Sequence, residues 1–157
     1  MSGLTLKFSY AIATVFGAGK IKQAPGTWGS LLGFCFCLAL YRFPFFYTAI
    51  FFILLLLGVI CSEIVERHAS KKDPSFIVID EFIGAFLVFV MIPIKPSYVI
   101  LGFMLYRIFD ITKIFPLKQL ENIKAGYGIM LDDLMAGVYA NLVLQIIVFV
   151  SRISLNG

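Results

Sequence analysis

Five carboxylates of this 157-residue chain stand within or at the ends of apolar runs: the adjacent pair Asp80 and Glu81, the single Asp110, and the adjacent pair Asp132 and Asp133. An ionised side chain inside hydrocarbon costs roughly 2.5–3.5 kcal/mol on insertion scales, so such groups belong at the mouth of a span or in a wet, partnered site. Neighbours on a helix point about 100° apart, which sends one of each pair toward a bundle centre and the other toward a loop or the headgroups. Arg107, Asp110 and Lys113 recur at i, i+3, i+6 and share one face. An Arg107–Asp110 ion pair would be unremarked on its own, but the five carboxylates outnumber the nearby cations. Excess negative charge in a low-dielectric place requires a cation or bound protons. Oxygen donors, with no His or Cys in these segments, select a hard divalent ion such as Mg2+ or Mn2+. Mg2+ in turn pairs a few carboxylates with substrate phosphate. Lys20, Lys22, Arg107, Lys113 and Lys124 are the cations able to hold the remaining phosphate charge. The substrate this implies is a phosphorylated lipid entering from the cytoplasmic leaflet.

Composition sets the class. The chain is 61% hydrophobic and 14% charged, against about 45–50% and about 25% in soluble domains. It reads as an all-α, polytopic membrane bundle, one integral-membrane domain over residues 1–157. The net charge of +4 does not indicate nucleic acid, because the basic residues are spread over membrane-flanking loops. No cleavable signal peptide is evident near the start. Cys35, Cys37 and Cys61 lie in or at the end of apolar runs and read as small buried hydrophobes rather than a disulfide framework.

About five spanning helices are expected, over residues 28–41, 45–61, 76–92, 97–111 and 129–150, with a short N-terminal interfacial helix over 8–18. Pro25 and Gly26 are expected to break the chain before the first span, with Thr27 or Ser30 as its cap. The polar stretch Glu63 to Asp73 reads as a connection. With the N-terminus inside, ten Lys and Arg fall on one side and three (Arg42, Lys95, Arg152) on the other, a positive-inside bias that puts the C-terminus outside. Every Asp and Glu falls on the same side as the ten. The carboxylates of the third, fourth and fifth spans are thereby placed at one depth, where a bundle can gather them. Gly84, Ala85, Gly126 and Gly128 allow close backbone approach there.

Other features read as structural. Cys61 to Arg67 matches the C-x5-R spacing of cysteine phosphatases, but Glu63 and Glu66 would repel phosphate and the stretch reads as a helix end. His68 reads as a solvated loop residue, Trp28 as an interfacial anchor, and the phenylalanines as lipid-facing or packing groups.

Four segments in order resemble the phosphatidylglycerophosphatase A family: Pro25-Gly26-Thr27-Trp28-Gly29-Ser30, Asp80-Glu81-Phe82-Ile83-Gly84, Arg107-Ile108-Phe109-Asp110-Ile111-Thr112-Lys113, and Gly128-Ile129-Met130-Leu131-Asp132-Asp133. Ile79 stands where the family usually has Trp, and Ile114-Phe115 where it has a Pro-Trp pair. The resemblance implies a small Mg2+-dependent phosphatase of the bacterial inner membrane, its site on the cytoplasmic side, that removes the terminal phosphate of phosphatidylglycerophosphate to give phosphatidylglycerol. On that reading Asp80, Glu81, Asp132 and Asp133 supply the metal ligands or the base, and Asp110 is a further ligand or orients Arg107. Arg107 and Lys113 neutralise phosphoryl charge, joined in substrate binding by Lys20, Thr27 and Ser30. The rival reading is a cation-conducting or cation-sensing membrane protein that uses the same acids as an ion path. A phosphatidyltransferase of the CDP-alcohol type ranks lower, because its D-G-x2-A-R signature is absent.

Overall fold

The computed structural model describes residues 2–72, 74–115, 117 and 126–156. Among these residues there are six α-helices and no strand: α1 (Gly3–Ala13), α2 (Pro25–Leu40), α3 (Pro44–Ala69), α4 (Ile79–Val88), α5 (Pro96–Thr112) and α6 (Gly126–Asn156), with a 3-10 turn at Ala18–Lys20. The Ser2 side chain accepts the Thr5 N–H to open α1. Proline opens α2, α3 and α5, where its missing N–H costs no helical hydrogen bond. Ser70 and Lys113 close α3 and α5 in the left-handed conformation, and their N–H groups turn back to Arg67 and Phe109 carbonyls.

The short helix α4 is the centre of the molecule. Eight of its ten residues are buried, and α2, α3, α5 and α6 all pack against it. Glycines set how close two of these helices come. A Cβ on Gly137 of α6 would overlap the Gly84 carbonyl of α4, and one on Gly84 would lie 2.8 Å from the Asp133 carbonyl of α6. The two backbones are therefore in direct contact. On the opposite side, a Cβ on Gly29 of α2 would lie 2.8 Å from the Val78 carbonyl that precedes α4. The Val78 N–H donates to the Ala13 carbonyl at 2.9 Å, so the end of α1 fixes the start of α4.

Two helices, Pro44–Ala69 and Tyr127–Ser154 within α6, are long and apolar enough to cross a membrane by length and composition. The expected third span over 76–92 is instead a ten-residue helix with non-helical backbone on both sides. At 1.5 Å per residue it is about 15 Å long, half a hydrocarbon core of about 30 Å. Its C-terminal carbonyls are met by side chains. Tyr47 donates to Phe86 O; Asn141 donates to Val88 O at 2.9 Å and Val90 O at 2.8 Å; Tyr41 donates to Ile92 O at 2.8 Å. Val88, Phe89 and Ile92 are buried. Val90 and Met91, between Phe89 and Ile92, are exposed, so the break is only partly covered by protein.

Other boundaries also differ from expectation. Pro25 and Gly26 begin α2 rather than precede it. Ala24 is its N-cap, so Thr27 and Ser30 lie inside the helix and cap nothing. Helix α3 runs on through Glu63 to His68, because Glu, Arg and Ala favour helix and Val65 is buried in the core. The N-terminal helix covers 3–13, not 8–18. His68 is helical, and its Nδ1 lies 3.1 Å from the Tyr10 hydroxyl. Cys61 to Arg67 is helix throughout, leaving no cradle of free N–H groups. All three cysteines are free; Cys37 and Cys61 are buried but Cys35 is exposed.

Replacing Asn141 by Leu removes both donors to the end of α4 and leaves its carbonyls buried. The variant is expected to lose about 1–3 kcal/mol in thermal unfolding of the detergent-purified protein. An unchanged melting curve would show that these bonds do not hold the break in α4.

Candidate active site

The first turn of α4 carries Asp80 and Glu81, where unpaired N–H groups favour negative charge. The Asp80 carboxylate accepts the Glu81 N–H at 3.0 Å. The Gly84–Gly137 contact brings the second turn of α6 alongside, and Asp133 with it. One carboxylate oxygen each from Asp80, Glu81 and Asp133 lie within 4.8 Å of one another, an arrangement that can hold a metal ion. Asp80 and Asp133 are 6% and 5% exposed, so their charges are shielded from bulk water. Glu81 Oε2 is buried without a hydrogen-bond partner. A buried carboxylate oxygen in that state calls for a cation or a proton.

The expectation that each adjacent pair would split is met by one pair only. Asp80 and Glu81 both reach the group. Asp132 turns away from it to Lys113, Oδ2 to Nζ at 2.7 Å, which ties the end of α5 to α6. Asp110 pairs with Arg107 and also lies near Glu81 and Asp133, close enough to act on both electrostatically. Among the described residues, five carboxylates thus meet two cations at one end of the bundle.

Helix α2 closes the site from above. Its Ser30 hydroxyl accepts from Arg107 Nη1 at 3.0 Å and donates to Gly26 O at 2.7 Å. The guanidinium is thereby held between Ser30 and Asp110. A Cβ on Gly26 would overlap the Glu81 carboxylate and come within 3.6 Å of Arg107 Nη1. A side chain here would have to push the Glu81 carboxylate aside for the start of α2 to rest where it does. Thr27, next along, is half-buried and has no side-chain hydrogen bond among the described residues. Lys20 and Lys22 are exposed and stand outside the carboxylate group, and Lys124 lies outside the described residues.

Tyr106 was not legible as a site residue. It is fully buried, donates to the Glu81 carbonyl at 3.3 Å, and its hydroxyl sits where a Cβ on Gly84 would be. Its signal was a phenol in an apolar helix one residue before Arg107, which the aromatic content of the chain concealed. Gly26 was read as a breaker, and its role against Glu81 has no sequence signal beyond its place beside Pro25.

The arrangement joins acids able to hold a hard cation to cations able to meet phosphate oxygens. The family model described as Phosphatidylglycerophosphatase A matches residues 11–148. The chain is similar to "Phosphatidylglycerophosphatase A" of Haemophilus influenzae, 38% identical over 141 residues covering 85% of each chain. It is similar to "Putative phosphatidylinositol-3-phosphatase" of Bacteroides thetaiotaomicron, 37% identical over 144 residues covering 86% of this chain and 90% of that one. It is also similar to "Phosphatidylglycerophosphatase A" of Escherichia coli K12, 33% identical over 136 residues covering 82% and 77%. No solved structure matches the chain. The matched span runs from α1 to α6 and takes in every carboxylate of the site, and on that ground the chain belongs to the phosphatidylglycerophosphatase A family.

Proposed function

We propose that this protein hydrolyses phosphatidylglycerophosphate to phosphatidylglycerol and inorganic phosphate in a Mg2+-dependent reaction. The observation that carries the reading is the meeting of Asp80, Glu81 and Asp133 from two helices within 4.8 Å, beside a fixed Arg107. The residues fit Mg2+: the donors are all hard oxygens, and Glu81 Oε2 is buried and uncommitted. Bound there, Mg2+ would supply positive charge and Lewis acidity where phosphoryl charge develops. Asp80, Glu81 and Asp133 would hold it, with Asp132 supporting from its bond to Lys113.

The chain's own groups have distinct tasks. Arg107 faces the phosphoryl oxygens with its guanidinium oriented by Ser30 and Asp110, so it neutralises charge without first having to reorganise. Lys113 adds a second positive charge at the end of α5. Water supplies the new P–O bond and gives up a proton to a carboxylate of the group; the bond from phosphorus to the glycerol oxygen breaks, and that oxygen takes up a proton to leave as the alcohol. Buried walls of α4 and α6 keep bulk water from the acids.

The bilayer setting follows the charges. The excess of basic residues on one side, ten against three, supports a cytoplasmic-facing carboxylate end, in the bacterial inner membrane that the proposed reaction calls for. The five crossings would be α2, α3, α4 with its flanking backbone, α5 and α6. The Tyr41–Ile92 bond supports the third, because it ties the segment after α4 to the far end of α2.

Detergent-purified protein is expected to release phosphate from phosphatidylglycerophosphate with Mg2+ and to stop in chelator. Phosphatidic acid and phosphatidylinositol 3-phosphate are the comparison lipids, the latter because of the Bacteroides relative's name. No release from any of the three, by folded protein that binds Mg2+, would favour the cation-path reading instead. Asp133→Asn removes one member of the group with no change of volume; it should cost at least a hundredfold in kcat while the protein stays folded in the membrane. Near-normal turnover would remove Asp133 from the site. Gly26→Ala should lower activity roughly tenfold to a hundredfold by displacing Glu81, and full activity would mean that α2 does not press on the acid.

A further inference from the structure

A cavity of about 460 Å3 lies beside the start of α2, lined among others by Lys20, Lys22, Pro25, Ser75 and Phe76. Among the described residues, no acidic side chain lines it and neither lysine makes an ion pair. Both of its walls run into the carboxylate site. On one wall, Pro25 precedes Gly26, whose Cα rests against the Glu81 carboxylate. On the other, Ser75 and Phe76 lead through Val78 into the first turn of α4, with Asp80 four residues after Phe76.

The walls are fixed. A Cβ on Gly19 would overlap the Phe76 carbonyl, so the 3-10 turn bearing Lys20 is clamped on the segment before α4. The Val78–Ala13 bond holds that segment in turn. The backbone that carries Lys20 and Lys22 is thereby held beside the segments leading into the site, and an anion is what the two ammonium groups can take.

We propose that this cavity binds the phosphodiester of the substrate lipid while the terminal phosphate occupies the carboxylate site, so that the protein selects headgroups carrying two phosphates. The inference rests on the function proposed above and adds the origin of its specificity. A lipid with one phosphate, such as phosphatidic acid, fills the carboxylate site and leaves Lys20 and Lys22 unused. Ile21 and Phe76 give the cavity an apolar edge for the glycerol carbons between the two phosphates.

The test compares kcat and KM on phosphatidylglycerophosphate and on phosphatidic acid in neutral detergent micelles, which carry no anionic bulk lipid. The K20Q/K22Q double variant is expected to raise KM for the two-phosphate lipid about tenfold, with a smaller change in kcat. The preference for that lipid over phosphatidic acid falls by the same factor, and K20R/K22R keeps it. An unchanged preference, an equal loss on both lipids, or a loss seen only in anionic vesicles would overturn the proposal. The last result would mean that the lysines attract the membrane surface in general. Wild-type protein that releases no phosphate from the two-phosphate lipid would overturn the underlying function. Active wild type with an unaffected double variant overturns this inference alone.

Discussion

Backbone contact between Gly84 of α4 and Gly137 of α6 is the constraint on which the site depends. It lets Asp133 approach the first turn of α4 closely enough for three carboxylates to share a space of 4.8 Å. Like charges at that separation repel, and burial strengthens the repulsion by removing water. The helices hold the acids together because packing along their length opposes it, with Leu144, Ala136 and Ala140 of α6 and Phe86 and Val88 of α4 buried in the same cluster. Strain of this kind at one end of a core is characteristic of sites made ready for a ligand of opposite charge. Arg107 and Lys113 relieve part of it, each paired with a further carboxylate beside the group, Asp110 and Asp132.

The brevity of α4 serves the same end. A helix that crossed the whole bilayer would need an unbroken apolar face along its length. Ten residues suffice to present Asp80 and Glu81 at one end and to leave a hydrogen-bonded break at the other. The break is stabilised by donors from three different helices, Tyr41 on the end of α2, Tyr47 on α3 and Asn141 on α6. These same bonds lock α4 against sliding along its neighbours. A shift of one residue would lose them and move the acids by about 1.5 Å, enough to spoil a metal or phosphate site. Polar groups far from the acids thus set their register.

The carboxylates were legible because charge in an apolar run is costly and therefore conspicuous. That one end of the bundle would gather them followed from their common side. Proline marked the start of α5 within a residue. The end of α3 was not legible: residues 62–69 are mostly polar and look like a connection, yet Ser62 and Val65 are buried and carry the helix's packed face onward. Nor was the length of α4, since residues 76–92 are apolar whether helical or not, and only side chains distant in sequence decide where the helix stops. The divergence of Asp132 from Asp133 is tertiary too. Their 100° separation was foreseen, but the partner of Asp132 depends on how Lys113 leaves α5. Asp80 and Glu81 meet despite the same separation, with the Glu81 carboxylate lying against Gly26 of α2.

The central claim is that acids from α4 and α6 form one cation site. Mn2+ binding to detergent-purified protein, followed by electron paramagnetic resonance, tests it without any lipid substrate. Wild-type protein should bind Mn2+, and Glu81→Gln and Asp133→Asn, altered on different helices, should each weaken that binding at least about tenfold. Equal binding by the wild type and both variants would contradict the account.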